Sequence, residues 1–290
     1  MRAIAAVVDT LKPGRGSALP FALAHLACVL VFFVPFTWAA VAVCAATFWL
    51  RMFAVTAGYH RYFSHRSFKT NRAFQFILAL LGTSAVQKGV LWWASTHRLH
   101  HKFSDTENDV HSPIQRGFWW SHVGWILSND YDQTDLKRVP DLARYPELCW
   151  LNDHFLVPPV ALAVGLFLLG GMSWLVWGFF VSTTLLWHSS FTINSLAHVF
   201  GSRRYQTEDT SRNNLWLALL TMGEGWHNNH HHYMNSARQG FFWWEIDASY
   251  YVLRTLSWLG ITWDLIEPPA RMREATMPVG ATLIVPKLQP

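Results

Sequence analysis

The chain has 290 residues, of which 51% are hydrophobic and only 14% charged, with 17 Trp, 15 His, 3 Cys and a formal net charge of +5. A disordered chain, low in hydrophobicity and high in charge, is excluded. So is a disulfide framework, because the cysteines are odd in number and Cys28 and Cys44 lie in apolar runs.

The N-terminal stretch MRAIAAVVDTLKPGRGS has no signal-peptide character: AIAAVV is too short an apolar core and no A-x-A-like site follows. Residues 16–50 then contain no Asp, Glu, Lys or Arg, and residues 155–202 contain none either. A bilayer-crossing helix needs about 20 apolar residues, whereas helices of soluble proteins average about 11–12. With breaks at Pro35 and Gly170-Gly171, the pattern predicts two helical hairpins, with spans near 18–34, 37–57, 156–170 and 174–197. Apart from Arg51, every Lys and Arg lies in the N-terminal tail, in 58–154 or after 202. The positive-inside rule puts those regions and both termini in the cytosol.

The expected fold is one all-α integral membrane domain, 1–290. Four transmembrane helices stand beneath a helical cytosolic cap drawn from 58–154 and 198–265, with a Pro-rich, poorly ordered tail at 266–290. The membrane is the bacterial inner membrane, or the endoplasmic reticulum of a eukaryote. The cap's positive charge suits an anionic lipid surface or an anionic substrate head group. No basic stripe or recognition motif points to nucleic acid.

The histidines gather in and beside that cap. His60 and His65 stand in HRYFSH, His97, His100 and His101 in HRLHH, and His227, His230, His231 and His232 in HNNHHH, while His198 stands alone in NSLAH. Positions i, i+3 and i+4 share a helix face, so HxxHH directs three imidazoles towards one point. HxxxxH turns about 500°, which a regular α-helix does not return to one face. That pair predicts a helix end just past Gly58, with the chain unwinding between the two rings. Imidazole suits Zn, Cu, Fe and Ni, and these rings are too many for one ion, since zinc takes about four ligands. Two metals are expected. Hydrolytic pairs draw on carboxylates, and none falls inside the clusters; a transporter sets its ligands near the bilayer midplane. Redox metals that activate O2 against a lipid chain fit best. His25, His111, His122, His154 and His188, each isolated, read as ordinary structural histidines.

HRYFSH, WWASTHRLHHKFSDTENDVHSPIQRGFWWSHVGW, NSLAH and GEGWHNNHH, in this order, resemble the membrane fatty acid desaturases of the acyl-CoA Δ9 (stearoyl-CoA) type, over about residues 20–265. The resemblance implies a cap that holds a diiron centre on nine histidines: His60, His65, His97, His100, His101, His198, His227, His230 and His231. Asn194, in the NxxxH element, would hold a metal-bound water, and His232 is an extra ring beside the third box. Gln87, Trp93 and Ser190 match positions that hold the acyl chain at its bend, although Phe191 replaces a family Trp. Phe48 and Met52, i,i+4 neighbours, stand where the family closes the far end of the tunnel. Arg98, Lys102 and Arg116 flank the second box and could bind a phosphate-rich carrier, with acyl-CoA favoured, or face lipid phosphates. No catalytic residue is expected beyond the metal centre.

The implied activity is an O2-dependent introduction of a cis double bond into a saturated acyl chain, Δ9 by family default, with two iron ions (Fe2+/Fe3+) as cofactor. Zinc readily enters such imidazole sites in recombinant material. The sequence carries no haem-binding domain, no Cys-rich iron–sulfur motif and no GxGxxG after a strand. Electrons are therefore expected from a separate donor protein of the cytochrome b5, ferredoxin or rubredoxin type. The alternatives are a membrane diiron hydroxylase of lipids or alkanes and a His-rich metal-binding or transport protein.

Overall fold

The computed structural model describes residues 18–274, so the N-terminal tail and most of the Pro-rich C-terminal segment, with the expectations placed on them, lie outside the described residues. Helix α1 (Ala18–Ala27) runs into a 3-10 turn at Cys28–Phe32. After Pro35, the Thr37 hydroxyl accepts from the Ala40 N–H at 3.1 Å and caps α2 (Trp38–Phe53). That helix continues without a break as a π-helix over Ala54–Ser64. Next come α3 (Arg72–Thr83), capped by Asn71, and α4 (Val90–Phe103). α5 (Val157–Leu175) and α6 (Ser182–Asn194) are joined through a π-helical segment at Val176–Val181. α7 (Leu215–Leu220), α8 (His227–His232) and α9 (Ala248–Trp258) complete the main elements. Among the described residues the sheet content is one antiparallel pair, β1 (Lys69–Thr70) with β2 (Thr262–Trp263), so the chain is mostly helical.

Among the described residues, two stretches are long and apolar enough to cross a membrane: Trp38–Ser64, with a mean hydropathy of 1.7, and Val157–His198, with 2.0. Only 11% of the apolar window in the second is buried. A core helix of a soluble protein hides such a surface inside protein; this one leaves it outside. The 42-residue stretch is not a single rod. Gly171, at φ +61 and ψ −156, breaks it next to Gly170. An added Cβ on Gly178 would lie 3.1 Å from Leu166 and 2.7 Å from Val43. Residues 12 apart in a straight helix are about 18 Å apart, so the chain folds back at the glycine pair.

The two reversals meet, since the Ser173 hydroxyl donates to the Pro35 carbonyl at 2.9 Å. From there α2 and α6 run side by side. Thr47 donates to the Gly178 carbonyl at 2.8 Å, and the Arg51 guanidinium reaches Thr183 at 2.7 Å and Ser182 at 2.5 Å. Arg51 is 1% exposed and its partners among the described residues are all uncharged hydroxyls and carbonyls, so a fixed charge joins the two apolar helices.

At the inner ends of these helices lies a dense core around Tyr59, Phe63, Leu78, Leu91, Leu148 and Leu151. It fixes α3 and α4 against the π-helix. The Tyr59 hydroxyl reaches Thr83 at 2.8 Å, while its ring lies close against Gly82, where an added Cβ would stand 2.5 Å from the ring. Gly82→Ala therefore forces the ring or the helix to move, at about 1–3 kcal/mol. The expected outcome is a lowered thermal midpoint of the purified protein, read by the loss of folded monomer on heating.

Candidate metal centre

The π-helix decides the first histidine pair. Its hydrogen bonds run from i to i+5, and the His65 N–H donates to the His60 carbonyl at 3.2 Å. Residues five apart thus return to one side, and the two rings lie 4.8 Å apart. The expected unwinding between them does not occur: the helix stays wound to Ser64 and is wound more widely.

The expectation that each HxxHH aims all its rings at one point is also corrected. The ring nitrogens form two groups, each with all its members within 4.8 Å: His60, His65, His97, His101 and His230 in the first, His100, His198, His227 and His231 in the second. On an α-helix, i+4 lies about 40° from i, while i+3 lies about 60° to the other side. On α4 the i,i+4 pair, His97 and His101, serves the first group and His100 the second. On α8 the order inverts: His227 and His231 serve the second group and His230 the first. Each box straddles the centre and ties the groups together.

Within the groups, Nε2 faces Nε2. The separations are 2.8 Å for His65–His97, 3.0 Å for His60–His230 and for His101–His230, and 3.0 Å for His198–His227. An ion about 2.1 Å from each nitrogen would set two ligands at right angles roughly 3.0 Å apart. Nε2 of His100 and of His231 are buried without any partner. Burial, reinforced by repulsion among the rings, drives His65, His97, His101, His227 and His230 well below the usual imidazole range. Neutral rings with converging lone pairs are what metal ions require, so these residues fit two ions.

Carboxylates behind the rings orient them. Nδ1 of His100 donates to Asp109 at 2.9 Å, that of His198 to Asp105 at 3.0 Å, that of His231 to Asp209 at 2.6 Å, and that of His60 to Glu224. Each bond places the ring proton on Nδ1 and leaves the Nε2 lone pair pointing inward. Burial alone would raise Asp105, Asp109 and Asp209, but the imidazoles beside them hold all three below the usual carboxylate range. Glu224 is held down likewise by His60 and by Arg61, whose buried guanidinium is shared with Asp247. Further out, the Asn213 side chain accepts from the Asn228 and Asn229 N–H groups at 3.0 and 3.1 Å, which caps α8. These carboxylates escaped the sequence reading, although ligand histidines call for such partners and Glu224 stands in GEGWH. His111, read as isolated, stacks on His100 at 4.2 Å; burial pushes it down to about 3.

Two cavities adjoin the centre. The larger, about 230 Å3, is lined by Pro20, Phe21, Gln87, Trp125, Leu156 and Trp187 among others. The smaller, about 50 Å3, runs towards Met52 and Val55. Trp93, His97, Ser190 and Asn194 line both, so an elbow lies against the first histidine group. At the elbow Gln87 donates to the Ser190 hydroxyl at 2.8 Å and accepts from the Trp93 indole at 3.2 Å. Val86 and Lys88, on either side of it, both hold positive φ, at +59° and +61°. For a β-branched Val this is strained, and it sets the direction of Gln87.

The remaining candidates are spread more widely. Met52 is fully buried in the wall of the smaller cavity, and Phe48, one turn away, packs in the same core but lines neither cavity. Arg98 bonds to Asp141 at 2.8 and 3.0 Å and to the Phe63, Ser64 and Arg138 carbonyls, which uses its guanidinium as a clamp. Lys102 lies over the Phe103 ring and Arg116 over Trp120. None of the three cations lines a cavity. His232 is outside both groups, stacked on Tyr205 at 4.1 Å with Nε2 against the Met272 carbonyl.

The family model for fatty acid desaturases matches residues 36–262. The sn-2 palmitoyl-lipid 9-desaturase of Nostoc is 39% identical over 241 residues, 81% of this chain and 84% of its own. The sn-1 stearoyl-lipid 9-desaturase of Anabaena variabilis is 41% identical over 233 residues, 79% and 85% of the two chains. The acyl-CoA C20 Delta5-desaturase of Anemone leveillei is 40% identical over 246 residues, 83% and 78% of the two.

Glu224→Gln removes the charge that holds His60 and is expected to weaken metal binding about 10–100-fold, as read by titration against a competing chelator. His232→Ala should leave the same titration unchanged.

Proposed function

The chain belongs to the fatty acid desaturase family, and we propose that it is an O2-dependent, multi-pass membrane desaturase that sets a cis double bond, at Δ9, into a saturated acyl chain. The observation that carries this reading is the position of His97: its ring belongs to the first histidine group and also walls both arms of a bent apolar cavity. The four apolar segments cross the bilayer, with the remaining residues as a cytosolic cap. The nine histidines would hold two iron ions, and Asn194 would hold a water beside them. A bound iron pair would supply the four-electron reduction of O2, two electrons coming from the acyl chain and two from a donor. Overall, the chain loses two hydrogens and O2 becomes two waters, with two electrons from a separate donor protein and two protons from solution.

The residues of the chain do the positioning. Gln87, Trp93 and Ser190 form the hydrogen-bonded elbow that bends the acyl chain under His97. The aromatic and aliphatic walls exclude water, and Met52 stops the methyl end. The carrier we infer is a membrane lipid. Of the cations expected to meet a CoA, Arg98 is clamped to Asp141, and neither Lys102 nor Arg116 lines either cavity; Lys88, the cation on the larger cavity, is paired with Asp132 at 2.5 Å. That cavity is instead bordered by Pro20 and Phe21 from one apolar segment and by Phe155 and Leu156 at the start of another. The acyl-lipid activity in the names of two relatives supports the same carrier.

The test is expression in a host that lacks a desaturase, together with a competent reductase, followed by gas chromatography of fatty acids from intact glycerolipids. A monounsaturated product in the lipid fraction is expected; its absence with metal bound would overturn the reading. Met52→Ala should extend the smaller arm and shift the products towards longer chains, and an unchanged chain-length profile would refute the role given to Met52.

A further inference from the structure

Three histidines outside the metal centre form a continuous chain. His25 on α1, His188 on α6 and His122 in the π-helical turn Trp120–Gly124 come from three distant parts of the sequence. His25 Nε2 lies 2.9 Å from His188 Nε2, and His188 Nδ1 lies 3.0 Å from His122 Nε2. Backbone and hydroxyl groups close the ends: His25 Nδ1 lies 2.7 Å from the Phe21 carbonyl and His122 Nδ1 3.0 Å from the Ser195 hydroxyl. A carbonyl only accepts, so His25 carries its proton on Nδ1. The direction then propagates: His188 donates to His25 and His122 to His188, while the Ser195 hydroxyl at the far end lies 3.0 Å from both His122 Nδ1 and the Phe191 carbonyl. With every ring neutral, each imidazole–imidazole bond has one donor and one acceptor.

The chain has a mechanical task. α1 contains no buried residue, so little packing holds it. Between helices in lipid there is no hydrophobic drive to association, and hydrogen bonds and close packing must supply it. Among the described residues, the other polar tie to α6 comes from the turn after α1, the Cys28 thiol on Thr184 at 3.4 Å. Yet α1 carries Pro20 and Phe21 into the wall of the larger cavity. Phe21 lies one turn before His25, with ring centroids 4.3 Å apart, and stacks on Trp187 at 5.3 Å and 16°.

We propose that His25, His188 and His122 are positioning residues, a latch that seats α1 on α6 so that Pro20 and Phe21 close the bilayer side of the acyl cavity. The proposal rests on the acyl-chain reading of that cavity. The latch touches neither the acyl chain nor the metal ligands, so it acts on substrate binding and leaves the chemical step alone.

The test uses the full chain in membranes, with His25→Phe, His188→Phe and the double variant. Each single change is expected to raise KM for a saturated acyl lipid about tenfold, with kcat and metal per chain within about twofold of the unaltered protein. The double variant should be no worse than the weaker single, because the two rings act as one unit. His25→Gln, which keeps a donor and an acceptor, should restore most of the affinity. A fall in kcat at constant KM, strictly additive losses, or no change would each overturn the latch. If the Phe variants fail to insert, Phe21→Ala carries the test: it leaves the imidazoles in place and must raise KM alike. Binding of a spin-labelled stearoyl phospholipid separates the two readings. Weaker binding in the variants supports the latch whether or not the unaltered protein forms a double bond, and equal binding overturns it.

Discussion

Nine imidazoles cannot be packed with their lone pairs converging unless something else holds each proton away from the centre. Everything around the site answers that constraint. A free imidazole exchanges its proton between two nitrogens, and a misplaced proton would point a donor at a donor. Asp105, Asp109, Asp209 and Glu224 settle the matter for four rings by accepting from Nδ1. They in turn need support, because each is a buried charge. Arg61 and Asp247 steady Glu224, and Thr210 and Ser112 steady Asp105. The polar density of this half of the molecule follows from the demand for neutral rings of known orientation.

The apolar half serves the same centre by a different route. Its helices expose aliphatic surface outward and bring only a few polar groups inward, and those few fix the relative heights of the segments. Arg51 joins α2 to α6, and the reversals at Pro35 and Gly170-Gly171 are tied through Ser173. The registration matters because the elbow is assembled from both halves: Ser190 comes from an apolar helix, whereas Gln87 and Trp93 come from the strained turn and helix that lead to the second histidine box. A slide of one helical turn would separate them.

Much of this was legible beforehand, for physical reasons. Charge-free runs are long-range compositional facts, and the helix breaks fall where Pro35 lacks an N–H and where Gly170-Gly171 is free to leave helical φ/ψ. The clustering of His in three boxes is visible because imidazoles are rare elsewhere. What escaped notice depended on three-dimensional partition. Spacing alone says that His97, His100 and His101 share a face, but only the position of the neighbouring helix α8 divides that face between two groups. Asp105 sits in the loop after the second box while the ring it supports is far along the chain, so no short window holds both His198 and Asp105. Arg98 shows the same limit from the other side: a cation beside a box suggests an anionic ligand, and only the fold reveals Asp141 as its partner. His25, His122 and His188, each unremarkable in its own segment, acquire meaning only when the fold places them in line.

The wide winding between Ala54 and Ser64 has a consequence for how such a motif is spelled. A π-turn is an α-helix that has accommodated an additional residue. The four residues between His60 and His65 are therefore a record of how the backbone is coiled there, not of what the metal needs. The same placement of two rings could be written with three intervening residues on an ordinary helix. Motif length and helical pitch are here one degree of freedom, and an insertion that looks like a change in the ligand pattern is a change in the thread that carries it.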